Sequence, residues 1–453
     1  MKRKGQLPIG DSKPAGRRAV PFILSIAFET QIYFKLVLVS AVMVGSLLAN
    51  SSAASAATLW VNDDDPNGGL YVPLGTSCNN PGYPTIQSAV NAAGPGDRIN
   101  VCAGTYQEQV NIATTAKSNI TLLSVTPLAA VIKATTVSTP TLPYDIVTID
   151  GARNVTLLAF TITGPLPDTS FCNVNILTGV RVKGGGSANI RLNHITEIRS
   201  NNPALRGCQN GIAIAVGRQF ESQVGQANII GNTIDKYQKG GIYVDNIGSS
   251  AQITGNVIQG EGAVNFIAQN GIQISRGATA DIRRNRISDN AYIVPALLGP
   301  DTATGVLLYQ ATRVTVDRNV LNRNQDGIDL FTMATGNAIV SDNIVIGGIP
   351  PFSTSLGTLT LGDGIYAAID TANNQLLRNF LRDNVEHDCH DDSTGTYQPA
   401  MVANIWRDND GRTENKPGLC RRTGEGDDDE DEDGHDKDDK GHHGKPIDDD
   451  DGH

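Results

Sequence analysis

An Asn recurs along this chain in a fixed apolar frame, with one apolar residue three positions before it and another two after. The Asn positions are 193, 232, 256, 285, 319, 343, 379 and 404. The frame runs from Ile190 and Ile195 around the first to Met401 and Trp406 around the last. A second series interleaves with it: Gly179, Gly211, Gly241, Gly271, Gly305, Gly327 and Gly364. Each Gly opens an apolar-x-apolar triplet such as Ile242-Tyr243-Val244. Residues on one face of a strand are an even number apart. The apolar positions flanking each Asn are five apart, so the chain has to bend there. Asn tolerates the left-handed backbone that a tight bend requires. Each unit therefore reads as a Gly strand, a turn, a second strand, the Asn bend, a third strand and a loop to the next Gly.

The shortest unit, from Gly305 to Gly327, is 22 residues, too short for a crossover helix. One such unit stacked many times sets each strand ~4.8 Å from its copies above and below. The Asn amides then form a ladder. A β-propeller needs blades of roughly 40–50 residues with recurrent aromatic signatures, and the short spacing argues against it. The expected fold is all-β: a right-handed parallel β-helix, its hand following the usual rule for parallel strand connections.

Composition adjusts the ends of this picture. The chain has 453 residues, 48 of them Gly and only 5% aromatic, which suits narrow stacked coils. Lys35 precedes an apolar run from Leu36 to Ala49, and Ala54-Ser55-Ala56 offers a small-residue cleavage site. Residues 1–57 are expected to be an export segment, with a run too short for a comfortable membrane span. The expected location is secreted, periplasmic or cell-surface. From Gly424 onward fifteen Asp and Glu face three Lys, a contribution of −12 against −11 for the whole chain. Such a run repels itself, so 424–453 is expected to be a disordered acidic tail. Its His435, His442 and His443 are candidate ligands for divalent cations. This charge balance argues against a nucleic-acid partner. The β-helix domain is expected over 58–423, with a cap at about 58–110.

Six cysteines suit an oxidising compartment. Cys78 and Cys102 are neighbours in the first segment, Cys172 and Cys208 enter successive Gly strands, and Cys389 and Cys420 lie in the corresponding loops of the last coils. The register thus selects the pairs 78–102, 172–208 and 389–420 from fifteen connectivities.

The longest insertions fall between an Asn bend and the next Gly: 199–210, 259–270, 290–304 and 347–363. They are expected to build a wall beside the outer face of the Gly strands, where function tends to reside. Alternation places Arg181, Lys183, Tyr243, Asp245, Tyr309, Phe331 and Tyr366 outward there, as candidate contacts for a sugar chain. Asp326 and Asp363 each precede a ladder Gly, in successive coils, so they stack about one strand spacing, ~5 Å, apart. With Asp329 they are the candidate catalytic residues, since paired carboxylates suit glycoside chemistry or bind a cation such as Ca²⁺. The bland reading is solvated surface and two Asp–Gly turns. The run His387-Asp388-Cys389-His390-Asp391-Asp392 has ligand-type residues but reads as a polar terminal loop.

The segment Tyr83-Pro84-Thr85-Ile86-Gln87-Ser88-Ala89-Val90-Asn91-Ala92-Ala93, followed by Gly96-Asp97-Arg98-Ile99 and Gly104-Thr105-Tyr106-Gln107-Glu108, resembles the opening of pectin-lyase-like β-helix proteins. The resemblance implies that fold over about 58–420, with a cap helix at the first coil. Ile86, Ala89, Val90 and Ala93 stand at helical spacing, as such a helix needs. It implies an activity far less sharply, because lyases, hydrolases, esterases, epimerases and non-catalytic surface proteins share the fold. Gly104–Glu108 is similar to the first pectin-esterase motif, but that family's later motifs are missing, as are the polygalacturonase Gly-His-Gly and Arg-Ile-Lys and the epimerase Asp-Pro-His-Asp. Three functions follow as expectations: a lyase or hydrolase of acidic glycans, a non-catalytic glycan-binding surface protein and, more remotely, a periplasmic metal-delivery accessory protein.

Overall fold

The computed structural model describes residues 55–64, 68–136, 144–168, 172, 177–293, 302–333, 337–347, 353–354, 357–358 and 362–420. Residues 1–54 of the expected export segment (1–57) and the expected acidic tail (424–453), with His435, His442 and His443, lie outside these residues. Among them, three parallel sheets run the length of a single coil stack. The first has twelve strands, from Thr58–Val61 to Ile405–Arg407. The second has ten, from Gly104–Gln107 to Phe380–Arg382, and the third ten, from Val110–Ala113 to Cys389–Asp391. Each strand pairs with its equivalent one coil away, as Ile229 pairs with Ile253 and Ile253 with Ile282. Inward Ile, Val and Leu from all three sheets form one continuous core.

The Asn ladder joins the first and second sheets. The backbone N–H and side-chain amide of Asn285 both donate to Asn319 Oδ1 at 2.9 Å, and its amide also donates to Ile253 O at 2.9 Å. The same set repeats from Asn193 to Asn379, with every member buried. Two details differ from the sequence reading. The left-handed residue is the one before each Asn, such as Leu192 (φ 55°), Arg284 (φ 54°) and Arg378 (φ 51°). The Asn itself is occupied in pairing with the next coil. The last rung is Asn409, not Asn404. Trp406 pairs with Leu376, which makes it the residue three before a ladder Asn rather than two after. Asn404 instead accepts from Asn374 in a second, shorter ladder.

The Gly column is a site of close approach. A Cβ on Gly327 would lie 2.3 Å from Gly364 O and 2.4 Å from Val345 Cγ1, so a side chain would collide with the next coil. Gly211 is outside this column: Ile212 pairs with Thr178 and Gly240, which leaves Ala213 level with Gly179 and Gly241. The outward column therefore carries Ala215 between Arg181 and Tyr243.

A helix at Ile86–Ala92 packs Ile86, Ala89 and Val90 against the first coil. The Thr85 hydroxyl caps it through Ser88 N–H, and Glu108 accepts the Ile86 and Gln87 N–H groups at 2.8 Å. The esterase-like Glu108 thus has a structural task as a cap. All three expected disulfides form, 78–102, 172–208 and 389–420.

Candidate functional site

The outer face of the third sheet carries the candidate residues in register. Arg181, Ala215, Tyr243, Gln273, Leu307, Asp329, Tyr366 and His390 form one column. Asp245, Ser275, Tyr309 and Phe331 form another. The early members are not open to a ligand. Arg181 is fully buried; it pairs with Glu221, from the short turn Gln219–Glu221, and lies 3.9 Å from Asp145. Asp245 is also buried and accepts from Gln219 N–H (2.9 Å), Ser275 Oγ (2.9 Å) and Arg276 Nε (2.7 Å). Lys183 lies 3.7 Å from Asp150. The Tyr243 ring packs over Gly240. These side chains hold the face together, a role that alternation alone does not reveal. Two of the expected wall loops are also partly regular, since Val257–Val264 and Arg286–Tyr292 pair as extended strands.

In the last three coils Asp326, Asp329 and Asp363 are buried too, but here carboxylates and imidazoles come together instead of being neutralised by guanidinium groups. The strand Asp326–Phe331 supplies Asp326 and Asp329, the next coil Asp363 and Tyr366, and the last His387 and His390. The positions just before the Gly and two after it are neighbours on this face, so the six side chains make a two-by-three block. Asp326 Oδ1 accepts Asp363 N–H at 2.9 Å, and Asp363 Oδ1 accepts His387 N–H at 3.0 Å. Asp363 Oδ2 is 2.8 Å from His390 Nδ1. The Thr304 hydroxyl donates to Asp329 Oδ2 at 2.7 Å, while Asp329 Oδ1 is buried with no hydrogen-bond partner. Phe331, Tyr366, His390 and His387 form a run of ring contacts with centroids 5.3, 5.0 and 4.9 Å apart.

Burial and the neighbouring carboxylates shape the charge here. Burial pushes the Asp326 carboxyl up to about 7, partly offset by its hydrogen bonds. Burial also holds Asp329 well above the usual carboxylate range, reinforced by the charge of Asp326. For His390, burial alone would lower the imidazole, but the bonds and charges of Asp363 and Asp392 outweigh it and raise it to about 9. The block therefore combines proton-holding carboxyls with a fixed imidazolium.

His387 and His390 escape the sequence reading because Asp388, not Gly, stands level with Gly364, and the Gly series stops a coil early. The signal was present: His387 follows Asp363 by 24 residues, an ordinary coil length. The middle of the run, Cys389–Asp391, is thus a strand of the sheet rather than a terminal loop. Asp363, His387 and His390 present ligand atoms within 4.8 Å of one another. Two imidazoles suit zinc-like cations better than the expected Ca²⁺, which takes oxygen ligands.

A concavity of about 520 Å³ lies elsewhere, on the outer face of the first sheet. Asn154, Asn189, Asn228 and Gln252 line it, and the first three are linked by amide hydrogen bonds of 2.9 Å. Its one carboxylate–guanidinium pair, Asp281 with Arg283, is mutually neutralised at 2.5 Å. It can hold hydroxyl groups but lacks the proton-transfer groups of the third-sheet block.

Residues 220–397 match the family model described as a right-handed β-helix region. No curated protein matches the chain by sequence. Among solved structures, the complex of XylC with xylose is 13% identical, with 72% of each chain covered and a TM-score of 0.41. The periplasmic alginate epimerase AlgG is 14% identical over 68% of this chain and 69% of its own, with a TM-score of 0.34. The pectate lyase Pel9A is 13% identical over 82% of each chain, with a TM-score of 0.34. These are likenesses between coil stacks and carry no substrate across. The matched region and the sheet topology together show that the chain has the right-handed parallel β-helix fold. No helix among the described residues is long and apolar enough to cross a membrane.

Proposed function

We propose that this is an exported glycan-processing protein that lays a sugar chain across the last coils of the third sheet and cleaves it there by hydrolysis. The observation that carries the reading is the block itself: three carboxylates from two successive coils, beside an imidazole and next to the paired rings of Phe331 and Tyr366. Aromatic faces pack on the apolar faces of sugars, and carboxyl pairs supply acid and base or nucleophile. Successive coils set such groups ~5 Å apart, the separation that goes with retention of configuration. Asp326, with Asp329 beside it, supplies the proton transfer, and Asp363, one coil on and bonded to His390, is the nucleophile. A lyase needs a base for the proton next to the uronate. Arg181 and Lys183 are the basic residues of the outward columns, but Arg181 is buried against Glu221 and both lie several coils away. That favours hydrolysis over elimination.

A second reading is a non-catalytic glycan-binding protein. The amide-lined concavity on the first sheet favours it. The two separate in one experiment: full-length protein is titrated and incubated with pectate, alginate and neutral glycans, and products are followed as reducing ends and as unsaturated-uronate absorbance. Reducing ends without unsaturation support hydrolysis. Unsaturated product contradicts it, and binding without turnover supports the second reading.

A further inference from the structure

We infer that Asp363, His387 and His390 form a binding site for a divalent cation of the zinc type, whether or not the face above them binds a glycan. Three observations converge on it. The ligand atoms have the right mutual spacing: Asp363 Oδ2 is 2.8 Å from His390 Nδ1, and Asp363 Oδ1 is 3.6 Å from His387 Nδ1. Ligands on a tetrahedral zinc, with bonds of ~2.0–2.1 Å, stand about 3.3 Å apart, between these two values. Small rotations of the imidazoles therefore suffice to place one ion among the three.

The second observation is the support behind the ligands. His390 Nε2 is 3.1 Å from Asp392 Oδ1, and Asp392 Oδ2 accepts the Tyr366 hydroxyl at 3.0 Å. A carboxylate on the far nitrogen of a metal-bound imidazole fixes its tautomer and strengthens it as a ligand. The third is unmet bonding capacity. His387 Nδ1 is buried with no hydrogen-bond partner, and the near-fully buried Asp329, in the same block, keeps Oδ1 unpartnered as well. Buried polar atoms without partners are costly. A cation held by the three ligands satisfies His387 Nδ1 directly.

The strand geometry holds the ligands in place. Cys389 points into the core and is bonded to Cys420, so alternation turns His390 outward, and the sulfur is not available as a ligand. Two imidazoles and one carboxylate leave an open coordination position, as in sites that bind exchangeable ligands rather than closed structural ones.

The test uses the full-length chain with His435, His442, His443 and His453 changed to alanine, so that the tail does not compete. Zn²⁺ binding is measured by competition with a chromophoric chelator, and Co²⁺ is added separately for its absorption spectrum. One Zn²⁺ per chain is expected, at least tenfold weaker in His387→Ala, His390→Ala and Asp363→Asn and unchanged in His194→Ala, whose imidazole pairs with Asp235 on the second sheet. Circular dichroism checks that each variant remains folded. The Co²⁺ complex of the parent is expected to show the intense visible bands of a low-coordinate site, which needs no variant. Absence of stoichiometric Zn²⁺, equal affinity in the three ligand variants, or a weak six-coordinate Co²⁺ spectrum would overturn the site.

Discussion

The Asn at each bend closes two coils at once, through four hydrogen bonds in the middle of the stack. Its cost of removal is set by what is left behind. Asn285→Ala strands the amide and N–H groups of Asn256 and removes the donors to Asn319 and Ile253, all buried. Leaving buried polar groups unpaired costs about 1–3 kcal/mol, so Asn285→Ala should lower the midpoint of thermal unfolding by several degrees. Asn228→Ala, on the half-buried amide row of the outer face, should change it less. Equal effects in a melting experiment would show that burial of the ladder is not what matters. This ladder was legible in the sequence because an odd apolar spacing forces a bend. Its last rung was not: Met401 and Trp406 repeat the spacing around Asn404 by coincidence, and only strand register assigns Trp406 to the Leu376 row.

At the scale of the strand, side-chain direction was readable and accessibility was not. Alternation placed Arg181 and Asp245 outward, and they are. What covers them is a turn from elsewhere in the chain, carrying Glu221 and the Gln219 N–H. No local period encodes that contact. The Gly column is governed by approach of the next coil, so its tolerance follows from distance. Gly327→Ala should destabilise by about 1–3 kcal/mol through overpacking, because Gly364 O and Val345 leave no room. Gly255→Ala, where a Cβ would meet nothing, carries only the cost of its left-handed backbone (φ 66°) and should be milder. Chemical denaturation of the two variants compares them directly; the reverse order would contradict the packing argument.

For the whole molecule, a coil stack is stabilised mainly by contacts between neighbours, so its ends open locally. Disulfides reinforce both ends, 78–102 near the helix and 389–420 at the last coil. A bond closing a loop of this size typically contributes 2–4 kcal/mol. Cys389→Ser with Cys420→Ser should speed hydrogen exchange in 389–420 and leave 58–113 unaffected. Exchange spreading through the entire stack would argue against local opening. The functional block lies against that reinforced end, on the outer face of coils whose register the Asn and Gly series made visible. The joining of Asp363 to His390, 27 residues on, was marked in the sequence by coil length alone, since the final coil has no Gly to mark it.

The most direct test of the functional claim is the rate of reducing-end release from the glycan panel by wild-type protein and by Asp329→Asn, with binding measured on the same samples. Removing one proton-transfer group costs about 10²–10⁴ in rate. The account predicts a loss in that range with glycan affinity within a few fold of wild type. Unchanged turnover in Asp329→Asn, or no turnover of any glycan by the wild type, would contradict it.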